Sequence, residues 1–291
     1  MSTFESRNKQ RELIEKLIKL ALVTASVISI LTTFGILFSI LFEAIEFFQM
    51  RSFWYFITGT EWSPGVEGSK FGAVPIFAGT FVITIIALLV AIPIGLGSAV
   101  YMSEYASPTL RDYLKPILEV LAGIPTVVYG FFAAITVAPL IVKMADAVGL
   151  EATFNSALAS GVVMGIMIIP VISSLSDDVI RSVPDSQRKA AFGLGMTHGE
   201  TIRNIVLPSA LPGIISASLL GLSKALGETM IVVMAAGLRP NLSWNPLEDM
   251  TTVTVTIVNS LVGDFEFNSP ETLSAFALGF ILFVVTIVLH M

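Results

Sequence analysis

The sequence predicts an all-α membrane protein, a polytopic bundle of six transmembrane helices, on three observations. Apolar residues make up 54% of the 291 and charged residues only 13%, far below the roughly 25% charged residues of soluble domains. Mean hydropathy is +0.85. The apolar residues gather into six runs, each long enough for the ~20-residue helix that a bilayer core requires. Cysteine is absent, which excludes disulfides and thiolate metal sites. The two histidines, His198 and His290, are too far apart in the sequence to make a metal site by themselves.

The runs cover residues 17–42, 73–102, 117–142, 155–175, 209–237 and 272–291. The first is too long for a signal-peptide core, and Glu43-Ala44-Ile45-Glu46 follows it in place of a clear small-residue cleavage site. Ahead of it, residues 1–19 are charged and weakly amphipathic, which fits a helix at the inner membrane surface and leaves 20–291 as the transmembrane domain. The loop 51–72 holds Trp54, Tyr55 and Trp62, side chains suited to the membrane interface. In the loop 238–271 the alternation over 251–257 fits a strand, and a short helix fits it about as well. Between the fourth and fifth runs, 183–208 reads as two short helices. Pro184 and Asp185 start one, a turn follows at Gly195, and Pro208 stops the second.

Lysine and arginine set the expected orientation. With the N-terminus inside, the inner side receives eleven of them, among them Arg7, Lys19, Arg111, Lys115, Arg181, Arg188 and Arg203. The outer loops keep only Arg51, Lys70, Lys143 and Arg239 against eleven acidic residues, a net of −7. The spans contain Pro75, Pro93, Pro125, Pro139, Pro170 and Pro212. Prolines at membrane depth are tolerated where neighbouring helices or a water-filled cavity satisfy the freed backbone groups. So many breaks suit a transport pathway better than a passive anchor.

Lys224 and Glu228 are the ionisable residues placed deepest within a span by this reading. Four apart, they share a helical face and can touch. Such residues cost about +2.5 to +3.5 kcal/mol on insertion and usually face protein or water. One reading is a self-neutralised pair that locks the bundle. The other is a pathway for an anion, with three donors on Lys224 and a carboxylate on Glu228 that accepts a proton-bearing oxyanion such as phosphate. A cationic solute held by Glu228 is a third. Thr229 and Thr126 are candidate neutral donors, the latter placed on irregular backbone by Pro125. The small residues from Gly213 to Gly227 permit close helix approach.

The inner loop carries a resemblance. Permeases of ABC importers share Glu-Ala-Ala, three residues, Gly, nine residues, Ile, any residue, Leu-Pro. Here Lys189-Ala190-Ala191, Gly195, Ile205, Leu207 and Pro208 stand at those spacings. Six of the seven positions match, with Lys189 where glutamate is usual. Three further stretches, 71–80, Gly123-Ile-Pro-Thr-Val-Val-Tyr-Gly130 and Ser223-Lys-Ala-Leu-Gly-Glu-Thr-Met230, resemble the phosphate importer permeases of the PstC type, whose members usually carry arginine at the position of Lys224.

The resemblance implies a type I ABC-importer permease fold, with 183–208 as the coupling loop that docks on an ATPase subunit. It implies a homologous second permease, two ATPase subunits and a periplasmic or lipid-anchored phosphate-binding protein as partners, with no nucleic acid. It places the chain in a bacterial or archaeal cytoplasmic membrane. No phosphate-binding Gly-x-x-x-x-Gly-Lys-[Ser/Thr] loop occurs in the chain. ATP and Mg²⁺ are therefore expected on the partner ATPase, with no cofactor and no enzymatic site here. Alternatives are a sulfate or molybdate permease, or a secondary transporter or channel gated by Lys224 and Glu228.

Overall fold

The computed structural model of the chain describes residues 2–65, 68–262 and 266–291, with side chains described for Glu12 and from Ile14 onward. Six helical segments are long and apolar enough to cross a membrane among the described residues: Ile14–Met50, Val74–Tyr105, Thr126–Ala147, Ala157–Ser182, His198–Leu226 and Pro270–His290. Helix α1 (Ser2–Met50) runs unbroken from the charged N-terminal segment through the first span. The side chains of 3–11, on which much of the expected surface amphipathicity falls, lie outside the described residues.

The short α2 (Phe53–Thr58) and the antiparallel pair β1 (Trp62–Ser63) and β2 (Lys70–Phe71) follow. Here Phe47, Phe56, Trp62 and Phe71 close an edge-to-face cluster. Trp62 is therefore buried, not an interface anchor as expected, whereas Trp54 remains 73% exposed. The indole has more to gain from its two aromatic neighbours, Phe56 and Phe71, than from the interface.

Helix α3 (Val74–Val100) continues into a π turn at Tyr101–Tyr105. The expected third span 117–142 is displaced. Its first part is α4 (Pro108–Ala122), an amphipathic helix with no buried residue, and the span proper begins after Gly123-Ile124-Pro125. It consists of α5 (Thr126–Phe132), a π turn at Ala133–Val137 and α6 (Ala138–Ala147). Charges explain the shift: Arg111 and Lys115 on α4 bind Asp177 and Asp178, near one end of α7 (Ala157–Ser182).

The first amides of α7 are satisfied from outside the helix. Ala157 and Leu158 donate to the Glu248 and Pro246 carbonyls, and Ala159 donates to Ser156 Oγ, which relieves the unpaired N–H groups of a helix start. Next come α8 (Asp185–Gly193), α9 (His198–Thr201) with a π turn at Ile202–Val206, and α10 (Leu207–Leu226). The fifth span does not run on to 237. It stops at Leu226 and resumes as α11 (Met230–Ala235). The 251–257 alternation resolves as helix, in α12 (Val253–Val262), and α13 (Pro270–His290) ends the bundle.

Helices in lipid gain little from apolar burial alone, so close packing carries their association. Gly161 and Gly165 of α7 receive Ile86 and Val90 of α3, and Gly221 of α10 receives Ile168 and Ile172 of α7. The main core lies along these contacts and includes Ile231 and Val232 of α11. The aromatic cluster joins α12 and α13 at one end of the bundle. Val206, Ala210 and Ile214 pack on Ala99 and Ile180 at the other, charged end.

Candidate functional site

The residues singled out in the fifth span stand at its interruption. Gly213, Ala217, Gly221 and Ala225 recur every four residues on α10, and Lys224 stands beside the last of them, half-buried. The helix then tightens and stops. Gly227 N–H still reaches the Ser223 carbonyl at 3.1 Å, but Glu228 N–H turns back to Ala225 at 3.2 Å.

The pairing of Lys224 with Glu228 expected from their spacing does not form, because the helix ends between them. The Glu228 carboxylate turns toward the new helix. Its Oε1 accepts the Met230 and Ile231 amides at 2.9 and 3.3 Å, two of the donors that a helix start leaves unpaired. Glu228 is 7% exposed, and its backbone carbonyl accepts the Thr254 hydroxyl at 2.8 Å. Since that proton is committed, Thr252 Oγ1, 3.0 Å away, is the donor to Thr254 Oγ1. Thr229 is half-buried, and its carbonyl accepts the Val233 amide at 2.9 Å.

Thr126 is half-buried at the first position of α5, after the extended Pro125. α5 and α11 pack together, and Gly130 makes this possible. A Cβ there would stand 2.8 Å from Met234 Sδ and 3.1 Å from the Met230 carbonyl. Two interrupted spans thus place Thr126 at the start of α5, Lys224 in the last turn of α10, and Glu228 and Thr229 in the break before α11, which packs on α5. Among the described residues Lys224 makes no hydrogen bond or ion pair, and Glu228 Oε2 makes none. The arrangement offers one uncompensated ammonium and one free carboxylate oxygen beside hydroxyls, on a span where an unpaired cation is costly.

The loop between the fourth and fifth spans places its motif on α8, the turn after it, the π turn at Ile202–Val206 and the start of α10. Gly195 closes α8 with φ +83, a left-handed position that glycine takes without a Cβ penalty. Ala190, Ala191, Ile205 and Pro208 line an open groove of about 530 Å³ with Leu194 and Met196. Lys189 is exposed on α8, and Leu207 packs against the Ala99–Ile180 cluster.

Sequence reasoning passed over three groups. Thr252 and Thr254 were legible only as an alternation. Asp177 fell beyond the expected end of the fourth span, yet its side chain is fully buried and Arg111 binds it at 2.6 Å. Glu104 pairs with Arg188 at 2.8 Å. The signal available for the last two was opposite charge at the ends of neighbouring spans.

Comparison with known proteins bears on this arrangement. Residues 91–291 match the family described as binding-protein-dependent transport system inner membrane component. The chain is 34% identical to the probable ABC transporter permease protein YqgH of Bacillus subtilis (strain 168), over 79% of this chain and 73% of that one. It is 36% identical to the phosphate transport system permease protein PstC of Mesorhizobium japonicum, over 79% and 74%. For PstC of Xylella fastidiosa (strain Temecula1) the identity is 34%, over 92% and 86%. Among solved structures it shares the fold of the MetNI methionine ABC transporter in an inward-facing conformation, with TM-score 0.52, 17% identity and coverage of 75% of this chain and 89% of that one.

Proposed function

We propose that this chain, which belongs to the binding-protein-dependent transport system inner membrane components and within them to the PstC-type permeases, is a pore-forming subunit of an ATP-driven importer that moves inorganic phosphate into the cytoplasm. As a multi-pass inner membrane protein and ABC permease subunit it has relatives that conduct solute and leave ATP hydrolysis to another chain. The single observation that carries the anion reading is Lys224, a half-buried cation without a partner among the described residues, beside a break in its span. Phosphate is supported by the names of the relatives and by Glu228. At neutral pH phosphate keeps a proton that Glu228 Oε2 can accept, and sulfate has none to offer.

In this reading the end bearing Arg111, Arg181 and Arg188 faces the cytoplasm, as does the N-terminus. The groove of Ala190, Ala191, Ile205 and Pro208, with Lys189, Gly195 and Leu207 around it, meets one of two ATPase subunits, which bind ATP and Mg²⁺. A homologous permease completes the pathway, and a phosphate-binding protein, periplasmic or lipid-anchored, delivers the solute to the aromatic end. Phosphate passes Lys224 and Glu228, with Thr229 and Thr126 as neutral donors, while the ATPases drive the bundle between its two openings.

Labelled-phosphate uptake by vesicles holding the assembled complex tests the reading. Lys224→Ala is expected to lower uptake about tenfold or more, the order of a lost charge-assisted contact, with the complex still assembled. Sulfate or molybdate is expected to compete poorly. Strong competition by either changes the solute. Full uptake by Lys224→Ala removes the site.

A further inference from the structure

We propose that Glu104 is the positioning residue through which the docking loop moves the transmembrane bundle, an inference that rests on the importer reading above. Glu104 lies in the π turn that ends α3, and π turns concentrate at functional positions. Both arms of the docking loop converge on it. Its carboxylate accepts Arg188 Nη2 of α8 at 2.8 Å, and its backbone carbonyl lies 3.2 Å from Nε2 of His198, which opens α9. The second contact exists because the helix stops at Tyr105, leaving the Glu104 carbonyl without an intrahelical donor. The edge of the neighbouring Tyr105 ring also meets His198, with centroids 5.2 Å apart.

The ionic contact is shielded, with side-chain exposures of 16% for Arg188 and 6% for Glu104. The same guanidinium donates to the Ile180 and Val183 carbonyls at the end of α7. A displacement of α8 therefore cannot slide past α3 as it could along an apolar face. It must carry α3 and α7 with it or break a buried ion pair, and breaking such a pair leaves an uncompensated charge.

The other end of α3 reaches the candidate site. Thr80 Oγ1 accepts the Val253 amide at 3.0 Å, and the adjoining Thr254 holds the Glu228 carbonyl at 2.8 Å. From Thr80 to Glu104 the helix is roughly 36 Å long at 1.5 Å per residue. One element thus joins the ATPase-docking loop to the residue beside Lys224. Motion of α8 passes through Glu104 into α3, and α3 shifts the threonines that hold Glu228.

The complex with its ATPases and binding protein, reconstituted in proteoliposomes, separates transmission from simple support. In Glu104→Gln the phosphate carried per ATP hydrolysed is expected to fall about tenfold, within the usual span of coupling between sites, while hydrolysis continues. An unchanged ratio, or uptake and hydrolysis falling in proportion, overturns the proposal, and so does loss of the ATPases from the purified complex. A second measurement needs no solute. Spin labels on cysteines introduced at Ser186 of α8 and Leu89 of α3, both exposed in a chain with no cysteine of its own, report whether the two helices move as one body. Their distance is expected to stay fixed between nucleotide-free and ATP-trapped complexes, and to change in Glu104→Gln. A change in the otherwise unaltered complex overturns the proposal. If that complex imports no phosphate and the distance still holds, the phosphate reading fails and the role of Glu104 stands.

Discussion

Glu228 holds a helix start and is also a proposed solute contact, and substitution can separate the two. Its Oε1 holds the first two amides of α11, and its Oε2 makes no hydrogen bond among the described residues. Glu228→Ala leaves the Met230 and the buried Ile231 amides without this acceptor, at about 1–3 kcal/mol for a buried unpaired group. Glu228→Gln keeps an acceptor oxygen of the same shape. Thermal unfolding of the purified chain is therefore expected to show a clear loss for the alanine variant and little for glutamine, although both lower uptake. Equal losses of stability would mean that the charge itself, not the acceptor, holds α11. That two charges mark the fifth span was legible in the sequence, because ionisable residues stand out against an apolar background. That they stay apart was not. Spacing predicts contact only if the helix continues, and the turn at Gly227 is decided by what α11 packs against.

Elements were legible in proportion to their hydropathy. The spans appeared close to their true places, whereas the interruptions did not, because Gly123-Ile-Pro-Thr and Gly227-Glu-Thr each carry too few residues to register in a hydropathy window. The third span was begun too early because Ile117, Leu118, Val120 and Leu121 read as apolar, although they belong to the amphipathic α4. The contact between α5 and α11 rests on Gly130. Gly130→Ala drives a methyl toward the Met230 carbonyl and Met234 Sδ, and overpacking of this kind costs about 1–3 kcal/mol. A loss of thermal stability together with reduced uptake is expected, and an unaffected variant would show that the two short helices separate freely. The loop over α7 adds a pH dependence. Asn241, Ser243 and Asn245 hydrogen-bond the Glu248 carboxylate and hold its pKa below the usual value, and its backbone accepts the Ala157 amide of α7. The loop's extra stability is thus fully present above about pH 4.3, the ordinary glutamate value, and is lost as pH falls through the lower folded one. Hydrogen-exchange protection over 241–249 is expected to drop below about pH 4 and to lose that dependence in Glu248→Gln.

The molecule as a whole divides into a packed body and an arm. Residues 20–42 of α1 carry no charge and are mostly apolar on every side of the helix, and none of the most hydrophobic window of this span is buried within the chain. Only its last turns, with Ala44 and Phe47, enter the core against α13. A helix apolar on every side needs an apolar surrounding on every side, and this chain supplies it along one short stretch. Stability should therefore respond very differently to equal changes in the two parts. Ile168 of α7, fully buried against Gly221 of α10, is expected to cost about 2–5 kcal/mol when truncated to alanine. Leu31, 66% exposed, removes no contact of that kind, and Leu31→Ala should stay within about 0.5 kcal/mol, as surface substitutions do. Unfolding the isolated chain in detergent and then the assembled complex distinguishes what surrounds the arm. A destabilisation by Leu31→Ala that emerges only in the complex places another subunit against α1. No effect in either leaves lipid as its surrounding, and a large effect in the isolated chain would show that the arm folds back on the body.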